Sequence, residues 1–113
     1  LVSKEALKDR IITTPHGNQY DLPMTASING ETVSRGNVKD MHWTFAQIIE
    51  RISYGVEIHP GEVIGSGTCG TGCLLELNGS KVFTPPRWLQ VGDEVECAIE
   101  GIGTLKNRIK LAE

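Results

Sequence analysis

The sequence has no basic excess. Fourteen acids face eleven bases, for a net charge of −3 at pH 7. Nucleic-acid binders usually carry a basic patch or stripe, so no nucleic-acid partner is expected. No apolar run approaches the ~18 residues of a membrane span, and no membrane partner is expected. The opening Leu-Val-Ser-Lys-Glu lacks the positive-then-apolar block of a signal peptide. Cysteines are few and odd in number: Cys69, Cys73 and Cys97. That argues against a closed disulfide framework. The spacing of Cys69 and Cys73 is not that of common zinc sites, and no second Cys or His pair completes one. Reduced thiols in a cytoplasmic protein are the expectation. His16, His42 and His59 are scattered without metal spacing, and no Ser or Cys stands in a nucleophile elbow.

Glycine, in contrast, is plentiful. Thirteen glycines and five prolines predict short elements joined by tight turns. The length suits one domain and burial of about two-thirds of the unfolded surface. Residues 3–8 read as a short helical turn with Ser3 as N-cap, and residues 14–18 as a loop. Residues 20–28 alternate, with Leu22, Met24, Ala26 and Ile28 on one face, which predicts a strand. Pro23 cannot donate to a ladder, so an edge position or a bulge is expected there. Asn29-Gly30 is a strong hairpin signal; residues 31–34 return, and Arg35-Gly36-Asn37 breaks the strand.

Residues 44–53 form the clearest helix. Thr44 and Gln47 make a T-x-x-Q capping box. Phe45, Ile48, Ile49 and Ile52 form one apolar stripe, and Trp43 and Phe45 are expected in the core. Later segments read as β: residues 63–65, residues 73–77, residues 94–100 with Val95, Cys97 and Ile99 inward, and a last strand carrying Leu105, Asn107 and Ile109. One helix among some seven short strands predicts an α+β, mainly β domain.

Chemistry concentrates in Gly65-Ser66-Gly67-Thr68-Cys69-Gly70-Thr71-Gly72. Glycines let consecutive N–H groups approach an anion, and Thr68 and Thr71 add hydroxyl donors. The P-loop lysine is missing, and no helix signal follows as in a dinucleotide-binding loop. A purely structural loop and an anion site both remain open. Glu76 is the one acid in Leu74-Leu75-Glu76-Leu77. Buried, its carboxyl would need a partner and could relay a proton; on simple alternation it faces solvent. The Glu94, Glu96 and Glu100 row reads as a solvated face.

Taken together, the motifs resemble the C-terminal part of the fumarylacetoacetate hydrolase family. The carrying pieces are the strand that runs into Ile28-Asn29-Gly30-Glu31, then Asp40-Met41-His42-Trp43-Thr44-Phe45, and Pro60-Gly61-Glu62-Val63-Ile64. Gly65-Ser66-Gly67-Thr68 follows, then Leu89-Gln90-Val91-Gly92-Asp93-Glu94-Val95, Glu100-Gly101-Ile102-Gly103 and Leu105-Lys106-Asn107-Arg108. The resemblance implies a mixed β-sandwich roll with one main helix, dimeric as the full-length protein. It implies a hydrolase that cleaves a carbon–carbon bond in β-diketo or oxo acids such as fumarylacetoacetate or acylpyruvates. Decarboxylation, hydration and isomerisation of oxo acids are the alternatives within the family. By the same resemblance, Gly67 and Thr68 take the substrate carboxylate, and Glu76 pairs with a water-activating histidine. The family uses Mg²⁺ or Ca²⁺ held by carboxylates, which suits polarising a dicarbonyl. Those ligands and the histidine are expected upstream of Leu1, so no metal ligand is assigned here. Residues 1–113 are therefore read as the C-terminal part of one catalytic domain, inactive alone. A non-catalytic module binding an anion or a protein partner is the reading from another class.

Overall fold

The computed structural model describes residues 1–112. A 3₁₀ helix, Lys4–Arg10, opens the chain, with Ser3 as its N-cap accepting the Ala6 N–H. Strands β1 (Ile11–Thr14) and β2 (Gly17–Tyr20) then form an antiparallel hairpin. Strands β3 (Pro23–Ile28) and β4 (Glu31–Asn37) form a second one. Helix α1 covers Phe45–Ile52 and the short helix α2 Leu74–Gly79. Strands β5 (Glu94–Ile99) and β6 (Gly103–Arg108) complete a four-stranded antiparallel sheet in the order β4-β3-β5-β6. This is the mainly β, α+β architecture expected, built from few helices and antiparallel sheets.

Asn29 and Gly30 both hold positive φ, 52° and 82°, which matches the right-handed twist of the strands that they join. Pro23 does not mark an edge. It is the first residue of β3, a central strand, where its missing N–H breaks no rung. The bulge lies further on, between Ala26 and Ser27. Two strands went unread: the stretch 14–18 is the turn and flanks of the β1–β2 hairpin, with only Pro15 and His16 between the strands. Residues 63–65 are irregular. Gly36 does not end β4, which continues through it to Asn37.

Residues 73–77 are not a strand: α2 begins at Leu74. Leu-Leu-Glu-Leu contains no β-branched residue and consists of good helix formers. On a helix, Leu74 and Leu77 share a face, so Leu77 is buried while Leu75 stays exposed.

The capping box at α1 is present. The Gln47 N–H donates to Thr44 Oγ1 at 3.2 Å, and the Gln47 amide oxygen accepts the Thr44 N–H at 3.0 Å. Thr44 also donates its hydroxyl to the His16 carbonyl at 2.7 Å, tying the first hairpin to the helix start. Gly17 packs there so closely that a Cβ would stand 2.9 Å from Ala46 Cβ.

The core is smaller than the chain length predicts. Among the described residues the buried apolar side chains are Tyr20, Leu22, Ile28 and Leu77. The accessible surface is 8714 Å², against about 6,100 Å² for a compact chain of this mass. The radius of gyration is 16.9 Å, where compact packing gives about 13 Å. Only about half of the unfolded surface is removed from water, rather than two-thirds. Trp43 and Phe45, expected inside, are 59% and 36% exposed. Trp43 meets the His42 ring edge-on, at 4.7 Å between centroids, and Phe45 meets Tyr20 at 6.0 Å. Cys97, expected inward, is exposed too.

Candidate functional site

The glycine loop, residues 65–72, leads directly into α2. Gly67 at φ +94° and Thr71 at φ 58° turn the chain through the left-handed region. A Cβ at Gly65, Gly67 or Gly70 would meet nothing within 4 Å, so the outer face of the loop is open. Thr68 and Gly67 are exposed on that face. The two threonines differ in use. Thr71 donates its hydroxyl to the Gly70 carbonyl at 2.6 Å, within its own turn. Among the described residues the Thr68 hydroxyl makes no such bond.

The inner face is anchored. Cys69 Sγ lies against Gly36 of β4, where even a Cβ would overlap it. The Gly72 N–H donates to two acceptors, the Cys69 carbonyl at 3.0 Å and Glu76 Oε2 at 3.2 Å. Glu76 is thus the third residue of α2, with its carboxylate closing the start of the helix. It is exposed rather than enclosed among leucines. A carboxylate accepts at both oxygens, so Oε1 can serve a further donor.

Behind the loop, a cleft of about 530 Å³ separates α2 from the sheet. Cys73, Leu74 and Leu77 form one wall, and Ala26, Val95 and Cys97 the other. A second cavity of about 590 Å³ runs along α1 beside Trp43, Ile48 and Tyr54. The glycine loop therefore offers polar donors on its outer face, and its α2 end borders an apolar cleft.

Gly67 and Thr68 are neighbours on the loop, and the Gly72 N–H links the loop to Glu76. Of the histidines, His16 lies in the first hairpin turn, His42 stands edge-on to Trp43, and His59 pairs with Glu57 at 3.8 Å. Among the described residues no three His, Cys, Asp or Glu side chains converge in a way that could hold a metal ion.

Two long-range ties lie outside the sequence reading. The Asn78 side chain accepts the Arg87 N–H at 2.9 Å and donates to the Arg87 carbonyl at 2.8 Å, and Arg87 pairs with Glu31 at 2.6 Å. Asp93 accepts the Gln90 N–H and the Asn29 amide, both at 2.8 Å. The Gln90 N–H, and then Asn29, hold the Asp93 carboxyl below the ordinary 3.8. Asn29 and Asp93 are 64 positions apart, and no local pattern could have paired them.

The same fold recurs in known proteins. The chain superposes over 89% of its length on fumarylacetoacetate hydrolase from the psychrophile Exiguobacterium antarcticum, with a TM-score of 0.65 and 31% identity, covering 34% of that chain. A protein from Mycobacterium smegmatis assigned as HpcE gives a TM-score of 0.66 and 31% identity over 96% of this chain and 34% of the other. Fold and loop thus place the chain among fumarylacetoacetate-hydrolase-like proteins. Residues 1–110 match the fumarylacetoacetate hydrolase C-terminal family, and the chain belongs to that family. Oxaloacetate tautomerase YisK of Bacillus subtilis is 36% identical over 89 residues, which are 78% of this chain. The match covers 27% of that relative, so this chain spans about a quarter of its length.

Proposed function

We propose that the protein containing this chain is a hydrolase that cleaves a carbon–carbon bond in a β-diketo or oxo acid, an acylpyruvate for example. The observation that supports it most is the open face of the glycine loop, where Thr68 stands exposed with Gly67 beside it. The Thr68 hydroxyl and the loop N–H groups donate to the substrate carboxylate and fix the carbonyl carbons relative to it. Water adds to one carbonyl. The bond to the central carbon then breaks, its electron pair passing to that carbon as an enolate, which takes up a proton. Glu76 Oε1 accepts from the histidine that activates the water, while Oε2 stays on the Gly72 N–H. In this reading Mg²⁺ or Ca²⁺ is held by carboxylates outside residues 1–113. The active protein is a homodimer, and the three free thiols fit a reducing, cytoplasmic setting.

The name of the Bacillus subtilis relative favours a second reading, an oxo-acid tautomerase. Thr68 keeps its role there, and no bond between carbons breaks. The two readings separate in one experiment on the whole protein with Mg²⁺ or EDTA. An acylpyruvate yielding pyruvate and a carboxylic acid is the expected result. Interconversion of oxaloacetate tautomers with no cleavage would establish the second reading instead. Thr68→Val raises KM about tenfold under either, as befits one lost hydrogen bond to a charged group. An unchanged KM removes Thr68 from the site.

A further inference from the structure

We infer that Gly36 is a positioning residue for the glycine loop: its missing side chain is the seat on which Cys69 sets the height of Thr68. The inference rests on Thr68 being the carboxylate-binding residue. Gly36 lies in β4, paired with Met24, and keeps ordinary extended backbone. No turn or positive φ requires glycine there. What requires it is Cys69 Sγ, which occupies the space that a Cβ would take. Every other neighbour is tolerable: Met24 Cε would stand at 3.4 Å, at the end of a flexible side chain, and Cys69 Cβ at 3.8 Å, ordinary contact.

The loop has few other anchors. Gly65, Gly67 and Gly70 face open space, and Gly72 is tied back to the Cys69 carbonyl. Cys69 is half-buried while Thr68 and Gly70 on either side are exposed. The residue that meets the substrate is therefore covalently next to the residue that meets the sheet. The Gly72 N–H, shared between Cys69 and Glu76, carries the same reference point into α2. A methyl group at Gly36 would displace Cys69 Sγ by roughly 1 Å, judged from ordinary contact distances of 3.5–4.0 Å, and whatever part of that shift the residue 69 backbone takes up moves Thr68 with it. Displacements of that size at a substrate-orienting group cost up to about a hundredfold in rate.

The test uses the whole protein and the variants Gly36→Ala, Cys69→Ala and the two combined. Gly36→Ala is expected to raise KM for the acylpyruvate about tenfold or more, with a smaller change in kcat. Iodoacetamide alkylation of Cys69, followed by fragment-ion mass spectrometry, is expected to quicken severalfold as the thiol leaves its seat. The double variant lacks Sγ, leaves only the ordinary contacts with Met24 Cε at 3.4 Å and the residue 69 Cβ at 3.8 Å, and returns KM to that of Cys69→Ala alone. Rescue of KM by a second truncation is not the signature of general destabilisation, and folding of each variant is read from its thermal midpoint. Unchanged Cys69 alkylation in Gly36→Ala overturns the seat, whatever the activity. Faster alkylation with unchanged KM overturns it by removing Thr68 from the binding role. A double variant as impaired as Gly36→Ala also overturns it. If Gly36→Ala does not fold, folding of the double variant supports the seat, and its failure to fold overturns it.

Discussion

At the scale of single residues, charge and hydrogen bonding work through exposed groups. Asp93 titrates below 3.8 because the Gln90 N–H, and secondarily the Asn29 amide, bond its ionised form. The unfolded chain therefore takes up this proton first as pH falls. The stabilisation is complete above about pH 5 and is lost as pH drops through the folded-state value. Asp21 behaves alike, held down by the Asn37 amide and then by Lys39. Calorimetry from pH ~6 to ~3 is expected to show a shallower fall in thermal midpoint for Asp93→Asn than for the parent; parallel curves would remove this bridge from the account. Glu76 has two roles that substitution separates. Glu76→Gln keeps an oxygen for the Gly72 N–H, so stability changes by less than about 0.5 kcal/mol. If the carboxylate charge also serves a histidine, kcat falls by about 10² or more. Loss of stability without loss of kcat would confine Glu76 to the helix start.

At the scale of elements, α1 shows what local sequence can and cannot say. Its capping box was legible because Thr44 and Gln47 are three positions apart. The further hydrogen bond from Thr44 to the His16 carbonyl was not, since 28 positions separate the two. Removing both with Thr44→Ala is expected to cost about 1–2 kcal/mol in urea unfolding. A cost under about 0.5 kcal/mol would mean that the hairpin and helix do not support one another. The same limit explains α2. Alternation over Leu74–Leu77 fits a strand as well as a helix when only four residues are counted, and composition decided the matter. The β1–β2 hairpin was missed because Thr-Pro-His-Gly reads as loop, although Gly17 at φ +116° is what lets the chain reverse there. The alternating strands β3 and β5 were plain. Of the site, the glycine loop was legible by composition; its support by Gly36 and Cys69 was not, because that contact joins positions 33 apart.

At the scale of the molecule, the open surface is the dominant fact. Val63, Leu105, Trp88 and Tyr54 are all more than half exposed, and the sheet face at Cys97 borders an unfilled cleft. Apolar surface left open to this extent is surface available to pair with other protein. Residues 1–113 produced alone are expected to bind a hydrophobic dye such as anilinonaphthalene sulfonate strongly, and to show no turnover of an acylpyruvate with Mg²⁺ present. The whole protein is expected to bind little dye and to turn over. Full activity in residues 1–113 alone would mean that every catalytic group lies within them.

The double hydrogen bond between Asn78 and Arg87 encloses eight residues. Asn78 here acts as one rung of a ladder, with its amide in place of a neighbouring strand. The ends of that stretch are latched to each other before the stretch itself is specified. Length and content between the latches are thereby released from the task of placing α2 against the sheet. A long insertion could be accepted between these latches, or a new recognition loop grafted there, with the glycine loop left where it stands.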